Sequence, residues 1–306
     1  MNDVKTKGIW SIILLVGCFF LFFMIFAVYT VSNMKGIGAN IEGFSSGKNK
    51  KAPIAVVEVE GVILESKSVV EKLHKAEEDK NAKAIIVRID SPGGAVGPTQ
   101  EIYQEIRRID KVKPVYASFG TVAASGGYYI GAAARKIFSN PGTLTGSIGV
   151  IMQFVEMSRL YDFLKVKPTT IKSGIFKDIG NPSRPMTAEE RSLLKTVTAK
   201  VHGQFRSDIL KARKGKIKGD LSKYAEGQIF SGEEAYNYGL VDELQGLWGA
   251  ARKIHEELKI EEDFGVKFIK KSKKIELMEL IENFEGMKEM LNIKRILFNG
   301  MVPNLM

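Results

Sequence analysis

The feature that most constrains this fold is an alternation of short apolar runs with amphipathic segments, which begins at residue 54 of the 306-residue chain. Residues 54–59 and 84–89 are rich in β-branched side chains and predict buried strands. Residues 69–78 and 100–109 have the apolar spacing of helices that cover one face of a sheet. Strands and helices that alternate at this length predict an α/β layer structure, whose ligand sites lie at the carboxyl ends of parallel strands.

A glycine-rich junction follows the next predicted strand, at residues 114–118, and contains one notable hydroxyl group. Ser125 stands in the sequence A-A-S-G-G-Y-Y, and residues 128–134 predict a helix, so Ser125 falls at a helix N-terminus among free N–H groups. Small neighbours let a substrate backbone approach, and the amide of Gly126 can hold a developing oxyanion. We interpret Ser125 as a nucleophile. The alternative is an ordinary helix cap, since Ser is a preferred cap residue.

A second glycine-rich junction, D-S-P-G-G at residues 90–94, follows the predicted strand at 84–89. Gly93 and Gly94 permit backbone geometry that other residues avoid, so their amides can point into a cleft. Because the two junctions follow consecutive strands, we expect them to lie side by side in a parallel sheet. One would supply the nucleophile and the other an oxyanion amide, although S-P-G-G alone is also typical of a sharp turn.

A nucleophilic serine needs a base, and the sequence places no histidine near either junction. Lysine can serve when burial lowers its pKa toward neutrality. Lys177, in I-K-S-G-I-F-K-D-I-G, is our candidate because its apolar neighbours could exclude water, and Lys172 in the same segment is the fallback. The simpler interpretation of Lys177 is a surface loop residue, since Lys is rarely buried. Ser147, in L-T-G-S-I-G-V, could orient a neutral lysine amine or be a plain turn hydroxyl.

The chain divides into five predicted segments. Residues 9–32 are almost wholly apolar and without charge, which predicts an uncleaved transmembrane anchor in the lipid bilayer after a short tail at 1–8. Residues 33–52 are rich in Gly, Ser and Lys and predict a flexible linker. We assign residues 53–262 to the folded domain and 263–306 to a basic and apolar C-terminal extension. Lysines flank the apolar run on both sides, so the charge pattern does not fix its orientation.

Two capping boxes mark helix starts at Thr187 and Ser231, each with a Glu three residues later. The first opens a long amphipathic helix, and we assign its apolar face to core or subunit contacts. That face comprises Leu193, Leu194, Val197, Val201 and Phe205.

Composition argues against metal and nucleic-acid chemistry. The only cysteine is Cys18, which leaves neither a disulfide framework nor a Cys-ligated metal site. The three histidines, His74, His202 and His255, lack metal-ligand spacing and predict positions on helix surfaces. The net charge of +10 is spread along the chain without the interleaved aromatic residues of a nucleic-acid platform. We therefore expect no metal, no cofactor and no nucleic-acid partner.

With these motifs assembled, the chain resembles the bacterial signal peptide peptidase A family of serine proteases, over about residues 53–247. The resemblance rests on five motifs in family order, namely D-S-P-G-G at 90–94, A-A-S-G-G-Y-Y at 123–129, L-T-G-S-I-G-V at 144–150, K-S-G-x-x-K-D-I-G at 172–180 and G-L-V-D-E-L at 239–244. Gln228 and Gln245 stand where the family usually has Arg and Gly, which puts local contacts in doubt but not the proposed catalytic residues.

The resemblance implies a fold, a site and an assembly. The fold would be that of Clp protease and crotonase subunits, with repeated ββα units after one transmembrane helix. Ser125 would be the nucleophile, Lys177 the general base, Ser147 the residue that orients it, and backbone amides of Gly93 or Gly94 with Gly126 the oxyanion hole. A single set of motifs resembles the short form of the family, which implies a homo-oligomeric ring. The family topology implies a cell-membrane protein with a cytoplasmic N-terminus and an extracytoplasmic catalytic domain.

The function expected from these observations is a membrane-anchored endopeptidase that degrades signal peptides after their release. Three alternatives remain open at this point. The substrate could be an intact membrane protein of the stomatin type, as in a related family with the same dyad. A crotonase-type enzyme acting on acyl thioesters would use the same fold without a serine nucleophile, and covalent labelling of Ser125 would exclude it. A non-catalytic scaffold would only bind peptides.

Overall fold

The structure is a computed structural model that describes residues 51–270, which belong to a compact unit beginning at Lys51. The predicted membrane anchor at residues 9–32, the tail before it and most of the linker lie outside the described residues, as does the chain beyond residue 270. No helix within 51–270 combines the length and the apolar composition needed to cross a bilayer.

Strands and helices alternate along most of the described chain. The strands are β1 (Ile54–Glu60), β2 (Ala84–Ser91), β3 (Val115–Ala124), β4 (Ile137–Ser139), β5 (Leu144–Gly146), β6 (Ile229–Ser231), β7 (Glu243–Leu244) and β8 (Val266–Phe268). The helices are α1 (Lys67–Glu78), α2 (Val96–Ile109), α3 (Gly126–Ala132), α4 (Ser158–Phe163), α5 (Ala188–Ala212), α6 (Gly232–Asn237) and α7 (Leu247–Glu257). A 3₁₀ turn occupies Leu221–Tyr224. The predicted α/β class is confirmed.

All eight strands form one sheet, whose main path runs β6-β5-β3-β2-β1-β8. Neighbouring strands are parallel except for the antiparallel pair of β5 and β6. The long strand β3 pairs with β2 along one edge, and on its other edge with β4 near its start and with β5 near its end. The carboxyl ends of β2, β3 and β5 therefore meet at one edge, which is where the two glycine-rich junctions lie.

The core lies on both faces of this sheet. On one face the alternate residues of β1, β2 and β3 pack against α1, α2, α3 and α5, with Ile89, Phe119 and Tyr128 fully buried. On the other face Ile54, Ile86 and their neighbours pack against α7. The strands are apolar almost throughout because both faces are covered over most of their length.

The structure extends two of the predicted elements and adds a strand that was not predicted. Strand β3 continues to Ala124, so the A-S-F-G-T-V-A-A stretch that looked like a strand end followed by a loop is strand up to the nucleophile candidate. Helix α2 begins at Val96, just after the second junction. Strand β8 pairs in parallel with β1, although residues 263–306 were assigned to an extension outside the domain. The strand has only three residues and stands among lysines, so the sequence pattern did not predict it.

Both predicted capping boxes are present. The Thr187 hydroxyl accepts from the Glu190 N–H while the Glu190 carboxylate accepts from the Thr187 N–H, and the Ser231 and Glu234 pair does the same. The apolar face predicted on α5 is only partly core. Phe205 is buried, but Leu193 and Val197 are 40% and 39% exposed. The first half of α5 therefore leaves apolar surface exposed that the core of its own domain does not cover.

Candidate active site

Ser125 lies between the end of β3 and the start of α3, in a strained backbone conformation. Its φ of 52° is in the left-handed region, which costs an ordinary residue about 1–3 kcal/mol. The Ser125 N–H donates to the Gly146 carbonyl at 2.8 Å, which holds this sharp turn against β5. The hydroxyl makes no capping hydrogen bond to α3. The helix-cap interpretation therefore has no support. The strained backbone at Ser125 is not explained by capping of α3.

The two glycine-rich junctions lie against each other, as predicted from the order of the strands. A Cβ atom on Gly93 would stand 2.9 Å from the Ser125 Cβ and 2.7 Å from the Gly126 nitrogen. Gly93 also has a φ of 102°, a conformation that side chains disfavour. Only glycine fits at this position, since the backbone of one junction occupies the space where a side chain of the other would be.

Three backbone amides were predicted to hold an oxyanion, and they differ in whether their N–H group already has an acceptor. The Gly93 N–H already donates to the buried hydroxyl of Ser91 at 3.1 Å. In the described chain the N–H groups of Gly94 and Gly126 donate to no protein atom. A Cβ built on Gly126 would be 3.3 Å from the Gly94 nitrogen, so the two free amides are close together. Gly94, Gly126 and Ser125 all line one small cavity.

Asp90 and Ser91 hold this arrangement in place, and the sequence interpretation gave neither of them a role. The Asp90 carboxylate accepts from the N–H groups of Thr121 and Val122 at 3.2 and 3.1 Å. It occupies the space beside Gly120, where an added Cβ would meet the carboxylate at 2.6 Å. The pairing of β2 with β3 shifts register at this point. Asp90 thus supplies hydrogen bonds that the shifted ladder lacks at Thr121 and Val122, shortly before Ser125.

The structure brings Ser147 into the neighbourhood of Ser125. Strand β5 pairs with β3 so that Gly146 lies opposite Ala124, and each serine is the next residue along. Ser147 also has a positive φ, of 49°, and its N–H donates to the Gln228 carbonyl at 2.6 Å. The Gln228 side chain in turn bonds to the backbone of Glu226 and Lys223. Gln228, which stands where the family usually has Arg, therefore supports the turn at Ser147 through its backbone carbonyl.

Lys177 is not brought together with Ser125 within one chain. It lies exposed on the loop between α4 and α5 and does not line the cavity that contains Ser125. No hydrogen bond or ion pair of its ammonium group is present within residues 51–270. Lys172, the fallback base, is instead paired with the Asp178 carboxylate at 2.6 Å. The amine of Lys177, like those of Lys165 and Lys167 in this loop, has no partner within the described chain.

An ion network fixes the loop around Lys177. The Arg184 guanidinium bridges the carboxylates of Asp178 and Glu190. These contacts hold the pKa of Asp178 well below its usual range and lower the pKa of Glu190 to about 2, with the Arg184 hydrogen bond the largest cause in each case. Glu190 also belongs to the capping box of α5, so the loop is tied to the start of that helix. Lys177 therefore lies exposed on a loop that these ion pairs fix to the start of α5.

Two cavities meet at Val150. The smaller, with a free volume of about 30 Å³, contains Ser125 together with residues from α2, α3 and α5. The larger, of about 790 Å³, is a groove between residues 150–156 and the first half of α5. We place the chemistry at the smaller cavity because it contains the strained hydroxyl and both free amides. The groove has the size of a ligand site, and Val150 lines both cavities.

Within the described residues no group of three His, Cys, Asp or Glu side chains is arranged to hold a metal ion. His74 is exposed on α1 and pairs with Glu105, while His255 on α7 contacts the Glu262 carbonyl. His202 on α5 is half-buried beside the larger groove. None of the three lines the Ser125 cavity in the described part of the chain.

Sequence profiles of two known protein families match this chain. The sequence profile of Peptidase family S49 matches residues 107–261, about half of the chain, and that of Clp protease matches residues 56–144. The second match covers β1 to the start of β5, and with it the fold predicted from the resemblance.

Three relatives are informative. A Synechocystis sp. protein named as a protease is 40% identical over 66% of this chain and 72% of its own length. An Enterococcus faecium protein named as a signal peptide peptidase SppA is 35% identical over 62% of this chain and 55% of its own. The chloroplastic serine protease SPPA of Arabidopsis thaliana is 34% identical over 61% of this chain, but over only 28% of its own length. The chain is therefore a protease that belongs to peptidase family S49.

Proposed function

We propose that this protein is a membrane-anchored serine endopeptidase that degrades cleaved signal peptides with a Ser125 and Lys177 dyad. The observation that carries the proposal is the Ser125 turn, where a strained hydroxyl with no capping role shares a cavity with two unused backbone amides. Backbone strain of this kind persists where the surrounding structure enforces it and is frequent at active sites. The membership in a peptidase family supplies the reaction class.

In the proposed reaction the neutral Lys177 amine takes the proton of the Ser125 hydroxyl, whose oxygen attacks the carbonyl carbon of a peptide bond. The resulting oxyanion accepts hydrogen bonds from the N–H groups of Gly94 and Gly126. The Lys177 ammonium then protonates the leaving amine as the C–N bond breaks. Water repeats the sequence on the acyl-enzyme. Gly93, whose N–H is already used by Ser91, holds the loop that presents Gly94.

We propose that Lys177 acts on the Ser125 of a neighbouring copy in a ring. The loop that carries Lys177 and the helix before it expose large apolar side chains, with Phe163 81% and Ile171 97% exposed. Apolar surface on this scale is typical of interfaces. A second copy that covered it would also remove water from Lys177, and such desolvation lowers the pKa of a lysine toward the range a base needs.

The substrate assignment rests on chemistry and on the relatives. The groove beside residues 150–156 is lined by the apolar side chains of Val150, Phe154 and Leu194 and by charged ones such as Arg191 and Lys195, so it offers apolar contacts to an apolar peptide segment and polar contacts to the chain beside it. Signal peptides have such a segment, and one relative is named for its action on them. A bilayer anchor at residues 9–32, with the catalytic domain on the extracytoplasmic side, would hold the protease where released signal peptides accumulate.

The test is a complementation experiment with the full-length chain. Ser125→Ala and Lys177→Met should each lower the rate of peptide cleavage by at least about 10³-fold. Co-expression of the two variants in one assembly should restore a measurable part of the activity, because some neighbours then combine an intact serine with an intact lysine. Lys167→Met, at an exposed lysine of the same segment, is the control and should behave as wild type.

Two results would count against the proposal. Full activity of either single variant rules out the dyad. Inactive mixed assemblies, with both single variants inactive and the control active, rule out a site shared between copies. A mass-spectrometric comparison of products from a synthetic signal peptide and from an intact membrane protein then distinguishes the two substrate classes.

A further inference from the structure

The small cavity at Ser125 has a composition that suits a side-chain pocket. Its walls come from three helices that are distant in sequence, with Val96 and Thr99 on α2, Tyr129 on α3, and Val201 and Phe205 on α5. Gln100 on α2 also lines the cavity, and the Thr99 hydroxyl donates to the Ala95 carbonyl; the other side chains present mainly carbon, and none is charged. The pocket is therefore built for an apolar group and not for a charged one.

The position of this pocket relative to the two free amides identifies its occupant. A carbonyl oxygen held by Gly94 and Gly126, with its carbon beside the Ser125 hydroxyl, belongs to the residue on the amino side of the scissile bond. The side chain of that residue starts one atom away from the carbonyl carbon. It must therefore enter the nearest recess, and the cavity that contains Ser125 also contains Val150 and Val201.

The floor of the pocket is rigid. The Tyr129 ring stacks on Tyr103 with centroids 4.8 Å apart and packs against Phe205 at 4.6 Å. The Tyr129 hydroxyl donates to the Asp208 carboxylate, and the Tyr103 hydroxyl donates to the Asp208 carbonyl. Tyr103 on α2 and Tyr129 on α3 thus bind α5 through Asp208, next to Phe205. The pocket cannot deepen without breaking these contacts, so its size is set by the side chains that line it.

The free volume of about 30 Å³ corresponds to roughly two or three water-sized groups. We infer that this pocket receives the side chain on the amino side of the scissile bond, that it admits alanine-sized side chains and excludes leucine and phenylalanine, and that Val201 sets this limit. The inference rests on the proposed function and adds a specificity to it. Val201 is half-buried and outside the packed core, so it can be shortened with little harm to the fold.

A matched pair of variants tests the role of Val201. Val201→Ala removes two methyl groups from the pocket wall. Val197→Ala makes the same change one turn earlier on α5, at a residue that lines neither cavity. The measurement is kcat/KM of the full-length protein for a set of fluorogenic peptides that differ only in the residue before the scissile bond.

The wild type and Val197→Ala should prefer Ala over Leu at this position by at least about tenfold, and Val201→Ala should reduce that ratio by about tenfold. Cleavage with an unchanged ratio in Val201→Ala overturns the assignment of Val201 and leaves the protease proposal standing. A wild type that prefers Leu or Phe overturns the size limit. A wild type that cleaves none of the peptides contradicts the proposed function and the pocket with it.

Discussion

Substitution of Gly93 by alanine is the sharpest test of how the two junctions fit together. The new Cβ would lie 2.7 Å from the Gly126 nitrogen and 2.9 Å from the Ser125 Cβ, where carbon contacts normally need roughly 3.5–4.0 Å. Neither neighbour can yield by rotating a side chain, since one atom is backbone and the other is the first atom of the nucleophile. The junctions must therefore move apart, which displaces the Gly94 and Gly126 amides and the Ser125 hydroxyl together.

Two costs follow from this displacement. The left-handed φ of 102° adds strain of about 1–3 kcal/mol for a residue with a side chain, which should appear as a lower free energy of unfolding in urea. Misplacing one oxyanion donor should lower kcat by about 10²–10³-fold. Peptide cleavage by the full-length protein gives kcat, and denaturant titration of the same preparation gives stability.

The control is Gly97→Ala, four residues further along on α2, where an added Cβ meets nothing within 4 Å. This variant should keep the kcat of the wild type and should not be less stable, because Ala is a better helix residue than Gly. If Gly93→Ala retained wild-type kcat and stability, the close contact between the junctions, and with it the paired amides, would be wrong.

Three further predictions concern the support of the site. Ser91→Ala leaves the buried Gly93 N–H without its acceptor, so we expect unfolding to become easier by about 1–3 kcal/mol and kcat to fall, as measured by urea titration and peptide cleavage. Tyr129→Phe removes the tie to Asp208 and should loosen the size preference beside Ser125, while the fold persists in circular dichroism. The folded-state pKa of Glu190 is lowered to about 2, so its pairing with Arg184 stabilises the fold above the ordinary Glu pKa of about 4.3 and is lost as pH falls toward 2. Stability of Glu190→Gln should therefore depend less on pH than that of the wild type over this interval, and equal slopes would contradict the network.

The sequence was sufficient to predict the paired junctions because their geometry follows from strand order. Two parallel strands that are neighbours end at the same edge, so D-S-P-G-G and A-A-S-G-G had to meet once β2 and β3 were recognised. The capping boxes at Thr187 and Ser231 were equally predictable, since the donor and acceptor lie three residues apart. These are local rules, and tertiary packing did not override them.

Other features depend on contacts that no local pattern encodes. The use of the Gly93 amide by Ser91 follows from the particular turn that S-P-G-G adopts. Strand β8 is too short to show an alternation and exists because the edge of β1 accepts it. The wall that Val201 and Phe205 give to the Ser125 cavity joins residues about 80 positions apart, a contact that only the packing of α5 on α3 creates. The place of Lys177 relative to Ser125 stays a prediction, since it depends on a neighbouring copy.

The most direct measurement of the central claim is covalent labelling of the full-length protein with a serine-directed fluorophosphonate, followed by mass spectrometry of the digested protein. We predict one modified peptide, with the adduct on Ser125, in the wild type and in the Lys167→Met control, and strongly reduced labelling in Lys177→Met. An adduct on another serine, or undiminished labelling of Ser125 when Lys177 is replaced, would contradict the dyad.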